Sequence, residues 1–146
     1  EEFGYDEVIN YRQDDLAGAL KAAAPDGVDC YFDNTSGSIS DAVMAHLAVG
    51  ARISICGTVA FADWNPIPVG PRINRQILVA RARIQGFLVL DHKPRFANAV
   101  EQLTEWVVDG HITHSEHILG GIEEAPGSIA KLYRGENNGK LLVKPQ

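Results

Sequence analysis

The sequence predicts an α/β fold, the second half of a doubly wound parallel sheet, and three observations carry that expectation. Val28–Asp33 and Ala51–Gly57 are short apolar-rich runs bounded by Gly, Asn or Ser, which reads as two buried strands. Between them, Ser40–Leu47 places Val43, Met44 and Leu47 at helical spacing, the crossover that a parallel pair requires. Strand-like and helix-like stretches then keep alternating, β-α-β-α-β-α-β-α, as far as Gly110. Both central strands run out into small polar residues, Asn34-Thr35-Ser36-Gly37 and Gly57-Thr58. An open parallel sheet builds its ligand site at the carboxyl ends of its strands, so function is expected there.

Taken in order, Phe3-Gly4-Tyr5-Asp6 reads as the exit from a helix, because Gly commonly caps one, and with no initiator Met the chain is expected to begin in mid-protein. Glu7–Tyr11 reads as a short strand. Asp14 or Asp15 then caps a helix through Leu16, Leu20 and Ala23 that stops at Ala24-Pro25-Asp26-Gly27. After the central unit, Phe61–Pro71 contains Pro66, Pro68, Pro71 and Gly70, which excludes long regular structure and predicts an exposed loop able to wall a site. Ile73–Arg83 follows as a helix with Ile77, Leu78 and Ala82 on one side, and Ile84–Leu90 as another buried strand. Arg95–Asp109 is the clearest amphipathic helix, with Phe96, Val100, Leu103, Trp106 and Val107 on one face and Gly110 at its end. The alternation implies about four parallel strands with helices packed on them.

From His111 the rhythm changes. His117–Leu119 reads as a strand, Glu123–Tyr133 as a helix interrupted near its start by Pro126 and Gly127, and Lys140–Lys144 as a final strand. This segment is expected to belong to a second domain.

The totals exclude several classes. A formal charge of -6 argues against a general nucleic-acid or anionic-membrane surface. No apolar run is long enough to span a bilayer and no basic leader is present, so cytoplasmic localisation is the default. Cys30 and Cys56 fall in predicted strands and read as reduced core residues. His111, His114 and His117 invite a metal reading, but strand alternation puts His114 opposite the other two, whereas zinc needs converging ligands; no metal site is expected. No GxGxxG, GxxxxGK[ST] or GxSxG motif occurs. Cys56 in an apolar run is a poor nucleophile, and the better functional reading is that Cys56 and Gly57 let a flat ligand approach the strand end.

Together, Phe32-Asp33-Asn34, Ile55-Cys56-Gly57, Gly70-Pro71, Arg81–Phe87 and Gly135-Glu136-Asn137-Asn138-Gly139-Lys140 resemble the carboxyl-terminal part of the zinc-independent medium-chain dehydrogenase/reductases. The nearest group is that of leukotriene B4 12-hydroxydehydrogenase, prostaglandin reductase and alkenal double-bond reductase. The resemblance implies that residues 1–110 complete a Rossmann-like NADP-binding domain. It further implies that residues 111–146 return to a GroES-like catalytic domain whose amino-terminal bulk lies outside this chain. It implies an NADPH-dependent, zinc-independent reductase, a homodimer, acting on the C=C bond of an enal or enone, the chain alone being inactive. A quinone reductase of the same superfamily and a non-catalytic nucleotide-binding or dimerisation module are the alternatives.

Carried over by residue, the resemblance places Tyr11 near the adenosine 2′-phosphate, Asn34 at the cofactor turn, and Cys56, with Gly57 and Thr58, beside the nicotinamide. Phe87 and Val89 line that ring, Asn137 belongs to a further turn at the cofactor, and backbone amides beside Val89 or Cys56 are expected to hold the carboxamide. Thr35-Ser36 depart from the family's usual Val-Gly. Val79 stands where several members have a tyrosine proposed to assist proton transfer, so no catalytic acid is assigned.

Overall fold

The computed structural model describes residues 3–12, 15–61 and 64–145. These divide into two compact units, one formed by Asp6–Lys93, the other by the described residues of Glu1–Tyr5 and Pro94–Gln146.

The first unit contains α1 (Leu16–Ala23), β1 (Val28–Asp33), α2 (Gly37–Met44), β2 (Leu47–Ile55), α3 (Asn74–Ala80) and β3 (Arg83–Gly86). The three strands form one parallel sheet in the order β1-β2-β3. The register aligns Asp33 with Ile55 and Ile55 with Gly86, so all three carboxyl ends finish level. One face is covered: Met44, Ala51 and Ile53 form the buried centre, with Tyr31, Ile55, Ile73 and Ile84 packed against it. On the other face Phe32 is 62% exposed, and the Arg52 guanidinium donates to Cys30 Sγ at 3.2 Å.

Several expected elements shift. Glu7–Tyr11 is irregular and ends in a turn, and the sheet has three strands among the described residues. A strand's alternate N–H and C=O groups need a neighbouring edge, and this segment pairs with none of the described strands. The crossover helix runs over Gly37–Met44, so Leu47 belongs to β2, which begins before Gly50 (φ +84°) and meets β1 across an irregularity between Val28 and Cys30. The helix expected over Ile73–Arg83 stops at Ala80, where Arg81 turns left-handed (φ +52°). The strand expected over Ile84–Leu90 ends at Gly86, because its partner β2 ends at Ile55; Val89–Arg95 coils into 3₁₀ turns instead. Cys30 and Cys56 are exposed, not core residues. Tyr31 and Asp33 take the inward positions of β1, which turns Cys30 outward, and Cys56 lies one residue beyond β2.

The second unit holds α4 (Phe96–Val108), β4 (Glu116–Gly120), α5 (Ser128–Arg134) and β5 (Lys140–Lys144). β4 and β5 pair in parallel, His117 opposite Leu141 and Leu119 opposite Val143, with α5 as the crossover. The helix read over Glu123–Tyr133 is two pieces, a 3₁₀ turn at Ile122–Glu124 and α5, separated by Pro126 and Gly127. Gly127 adopts φ +79°.

Candidate functional site

The level strand ends of the first unit open into a groove of about 480 Å³, walled by Cys56, Gly57 and Thr58 after β2 and by Gly86, the last residue of β3, with Phe87 and Leu88 beyond it. Long-range backbone bonds fix that wall. Cys56 N–H and Gly57 N–H both donate to Asp33 O, at 2.7 and 3.2 Å, and Phe87 N–H donates to Ile55 O at 3.2 Å. Ala60 N–H reaches back to Thr35 O at 2.8 Å. The Cys56, Gly57, Phe87 and Ala60 amides are therefore committed to backbone acceptors.

The turn after β1 is tight. Ser36 and Gly37 both adopt positive φ, +62° and +67°. A side chain other than glycine held there costs of the order of 1 kcal/mol. A Cβ on Gly57 would fall 2.5 Å from Asn34 Oδ1, and one on Gly37 would fall 2.9 Å from Ala60 Cβ. Glycine at 57 is thus what lets the Asn34 side chain lie against the end of β2.

Beneath the turn sits Asp33, 1% exposed. Its Oδ1 accepts Ser36 N–H at 2.8 Å and Thr35 N–H at 3.0 Å, and the Ser40 and Tyr31 hydroxyls also bond to the carboxylate. Burial alone pushes this carboxyl up, but the bonds from Ser36, Ser40, Thr35 and Tyr31 outweigh it and hold Asp33 below the ordinary carboxylate range. The neighbouring Tyr31 is pushed up to about 12, first by burial and then by the Asp33 charge.

Asn34, Cys56, Gly57, Thr58 and Phe87 therefore come together around one strand-end turn and groove. The Phe87 ring meets Phe32 at 6.1 Å and His92 at 6.4 Å. Val89 is exposed and does not line the groove, standing on the 3₁₀ segment after Leu88. Tyr11 is also exposed and outside the groove, its ring facing the Arg12 guanidinium at 5.8 Å. Asn137 belongs to the other unit, where its Nδ2 donates to Gly139 O at 2.8 Å in the turn before β5. His117 Nδ1 accepts Asn138 N–H at 3.3 Å, and among the described residues no three His, Cys, Asp or Glu side chains converge as metal ligands. Val79 lines a separate 180 Å³ pocket with Leu47 and Val49, at the amino-terminal end of β2. That is the end of the strand opposite Cys56, so an acid at position 79 would not face this groove.

Asp33 and Tyr31 are the participants that sequence reasoning passed over. The signal available was alternation: Tyr31 and Asp33 share the inward face of β1, and a carboxylate on a buried face demands donors.

A parallel sheet with level carboxyl ends, a glycine-bearing groove across two of them and helical crossovers on one face defines the ligand-binding half of a Rossmann-type domain. The chain belongs to the zinc-binding dehydrogenase family, which residues 1–106 match, and it is similar to prostaglandin and alkenal reductases. It is 42% identical, over 99% of its length and 43% of the other protein, to a Bacillus subtilis (strain 168) protein named as an NADP-dependent oxidoreductase. It is 34% identical, over 97% of its length and 41% of the other, to the NADP(+)-dependent 2-alkenal reductase of Nicotiana tabacum. The crystal structure of CurA from Vibrio vulnificus in complex with NADPH superposes with a TM-score of 0.86 at 34% identity, covering 98% of this chain and 44% of that one. The chain thus spans less than half the length of the proteins it matches.

Proposed function

We propose that this chain is the carboxyl-terminal part of an NADPH-dependent reductase that saturates the C=C bond of α,β-unsaturated aldehydes or ketones. The observation that carries the reading is the groove at the level ends of β2 and β3, open at Gly57 and backed by Phe87. Its chemistry fits a nicotinamide: the exposed Cys56 and Thr58 wall one side of the groove, the Phe87 and Phe32 rings stand behind, and Gly57 lets Asn34 pack against the strand end. When bound, NADPH supplies a hydride to the β-carbon of the substrate.

The chain's own residues orient and shield. The Phe87 and Phe32 rings keep water from the reacting face, and the Thr58 hydroxyl offers a hydrogen bond to the carboxamide. Asn34 and Gly57 set the width of the wall. In the whole protein Tyr11 contacts the adenosine phosphate and Asn137 closes the cofactor turn. Residues 1–110 complete the NADP domain and residues 111–146 return to the catalytic domain of a cytoplasmic homodimer. Among the described residues no helix is long and apolar enough to cross a membrane.

The test is NADPH oxidation by the protein expressed from its complete reading frame, with 2-alkenals, enones and quinones offered in parallel and the products identified. Saturated aldehyde or ketone with retained C=O is expected. Hydroquinone as the sole product would make it a quinone reductase, and NADPH binding without any turnover would leave a binding module.

A further inference from the structure

We propose that Asp33, which lies outside the groove, is the positioning residue that sets the shape of its wall; this rests on the NADPH reading above. One residue ties three pieces of the site together. Its carboxylate collects Thr35 N–H (3.0 Å) and Ser36 N–H (2.8 Å) with the Ser40 and Tyr31 hydroxyls, and its carbonyl collects Cys56 N–H (2.7 Å) and Gly57 N–H (3.2 Å). All four partners of the carboxylate are donors, which suits a buried anion and leaves it no reason to move.

Two features show what the carboxylate holds in place. Ser36 keeps a positive φ that a serine does not adopt unaided, and its N–H is the one bonded to Oδ1; its hydroxyl continues to Gly57 O at 3.4 Å. Asn34, between Asp33 and that turn, has its Oδ1 only 2.5 Å from where a Cβ of residue 57 would be. If the Asp33 bonds are lost, Ser36 is free to relax toward negative φ, the turn rotates, and Asn34 moves across Gly57 into the space a flat ring needs. Asp33 thus acts through Asn34 and Gly57, without touching the ligand.

The experiment uses the protein from its complete reading frame as wild type, Asp33→Ala and Asp33→Asn. Asparagine keeps an oxygen acceptor for the two backbone amides, and the Tyr31 and Ser40 hydroxyls can turn to accept from its NH₂, so it is the conservative rescue. Asp33→Ala is expected to raise KM for NADPH about tenfold, about the worth of one hydrogen bond to a charged group, while kcat at saturating NADPH stays near wild type. Asp33→Asn should stay within about threefold of wild type on the same measure. A purely structural lesion would instead lower kcat, through fewer folded molecules, with KM unchanged.

Hydrogen exchange without cofactor supplies the second readout: Thr35 and Ser36 amides should lose protection in Asp33→Ala and keep it in Asp33→Asn. An unchanged KM in Asp33→Ala overturns the inference, as does unchanged protection at Thr35 and Ser36. Absence of any NADPH turnover by the wild type overturns the functional reading itself, which separates the two failures.

Discussion

The strand-end wall of the first unit and the helix α4 of the second are built from similarly ordinary residues, yet they end in opposite states. Around Asp33, residues from β1, the following turn, α2 and β2 share one set of hydrogen bonds, and Ile53 beneath them is 3% exposed. Along α4 the apolar stripe is regular and the helix is well formed, but Val100 is 63% exposed and Leu103 49%. Periodicity makes a helix; only a partner buries it. The wall is therefore where substitutions should be felt, and α4 where they should not.

The largest effect expected within this chain is from Ile53→Ala, which removes a branched side chain from the closed face of the sheet. Denaturant unfolding should show a loss of about 3 kcal/mol. A loss of less than 1 kcal/mol would mean that the sheet face is not the core of this unit.

Next comes Gly57→Ala, whose Cβ meets Asn34 Oδ1. Overpacking of this kind costs about 1–3 kcal/mol, and NADPH affinity of the whole protein should fall about tenfold or more by titration of its fluorescence. Shortening the obstruction in Asn34→Ala/Gly57→Ala should recover part of the lost stability. A double variant as unstable as the single one would show that the contact is not the cause.

The buried polar pair gives a pH signature of middle size. Tyr31 is raised in the folded state, so its contribution is fully present below its ordinary pKa near 10 and is lost as pH climbs toward about 12. Unfolding measured across that window should show a fall of the order of 1–2 kcal/mol that Tyr31→Phe removes. Asp33 is shifted the other way: its contribution is present above the ordinary carboxylate pKa and is lost as pH drops through its depressed folded value. Asp33→Asn should flatten that acid limb. The smallest effect belongs to α4, where Leu103→Ala should change the stability of this chain by no more than about 1 kcal/mol. A loss as large as that of Ile53→Ala would contradict the contrast.

What was legible in the sequence follows the same division. β1, β5 and α4 were readable because each is a local pattern with clear punctuation, and the strand-end location of the groove followed from the crossover. Glu7–Tyr11 has the composition of a strand, but a strand exists only with a neighbour, which no local pattern records. Gly50 hid the first half of β2, since a glycine at φ +84° reads as a boundary when it lies inside a strand. The apolar runs around Cys30 and Cys56 suggest burial, whereas facing is decided by alternation and by where pairing stops. Asn34, Cys56, Gly57 and Thr58 stand at strand ends, where the crossover pattern directs a ligand site, whereas Phe87 enters through the family resemblance. Asp33 escapes such a reading, because its donors come from Ser40 on a helix and from a serine with positive φ, neither of which spacing reveals.

The most direct test of the account is NADPH titration of the protein from its complete reading frame, wild type against Gly57→Val, with circular dichroism to confirm that both are folded. Saturable binding by the wild type and loss of at least about tenfold in the folded variant is the result predicted from the Asn34–Gly57 geometry. Equal affinity in the two folded proteins would contradict it, and would place the cofactor somewhere other than the groove at the ends of β2 and β3.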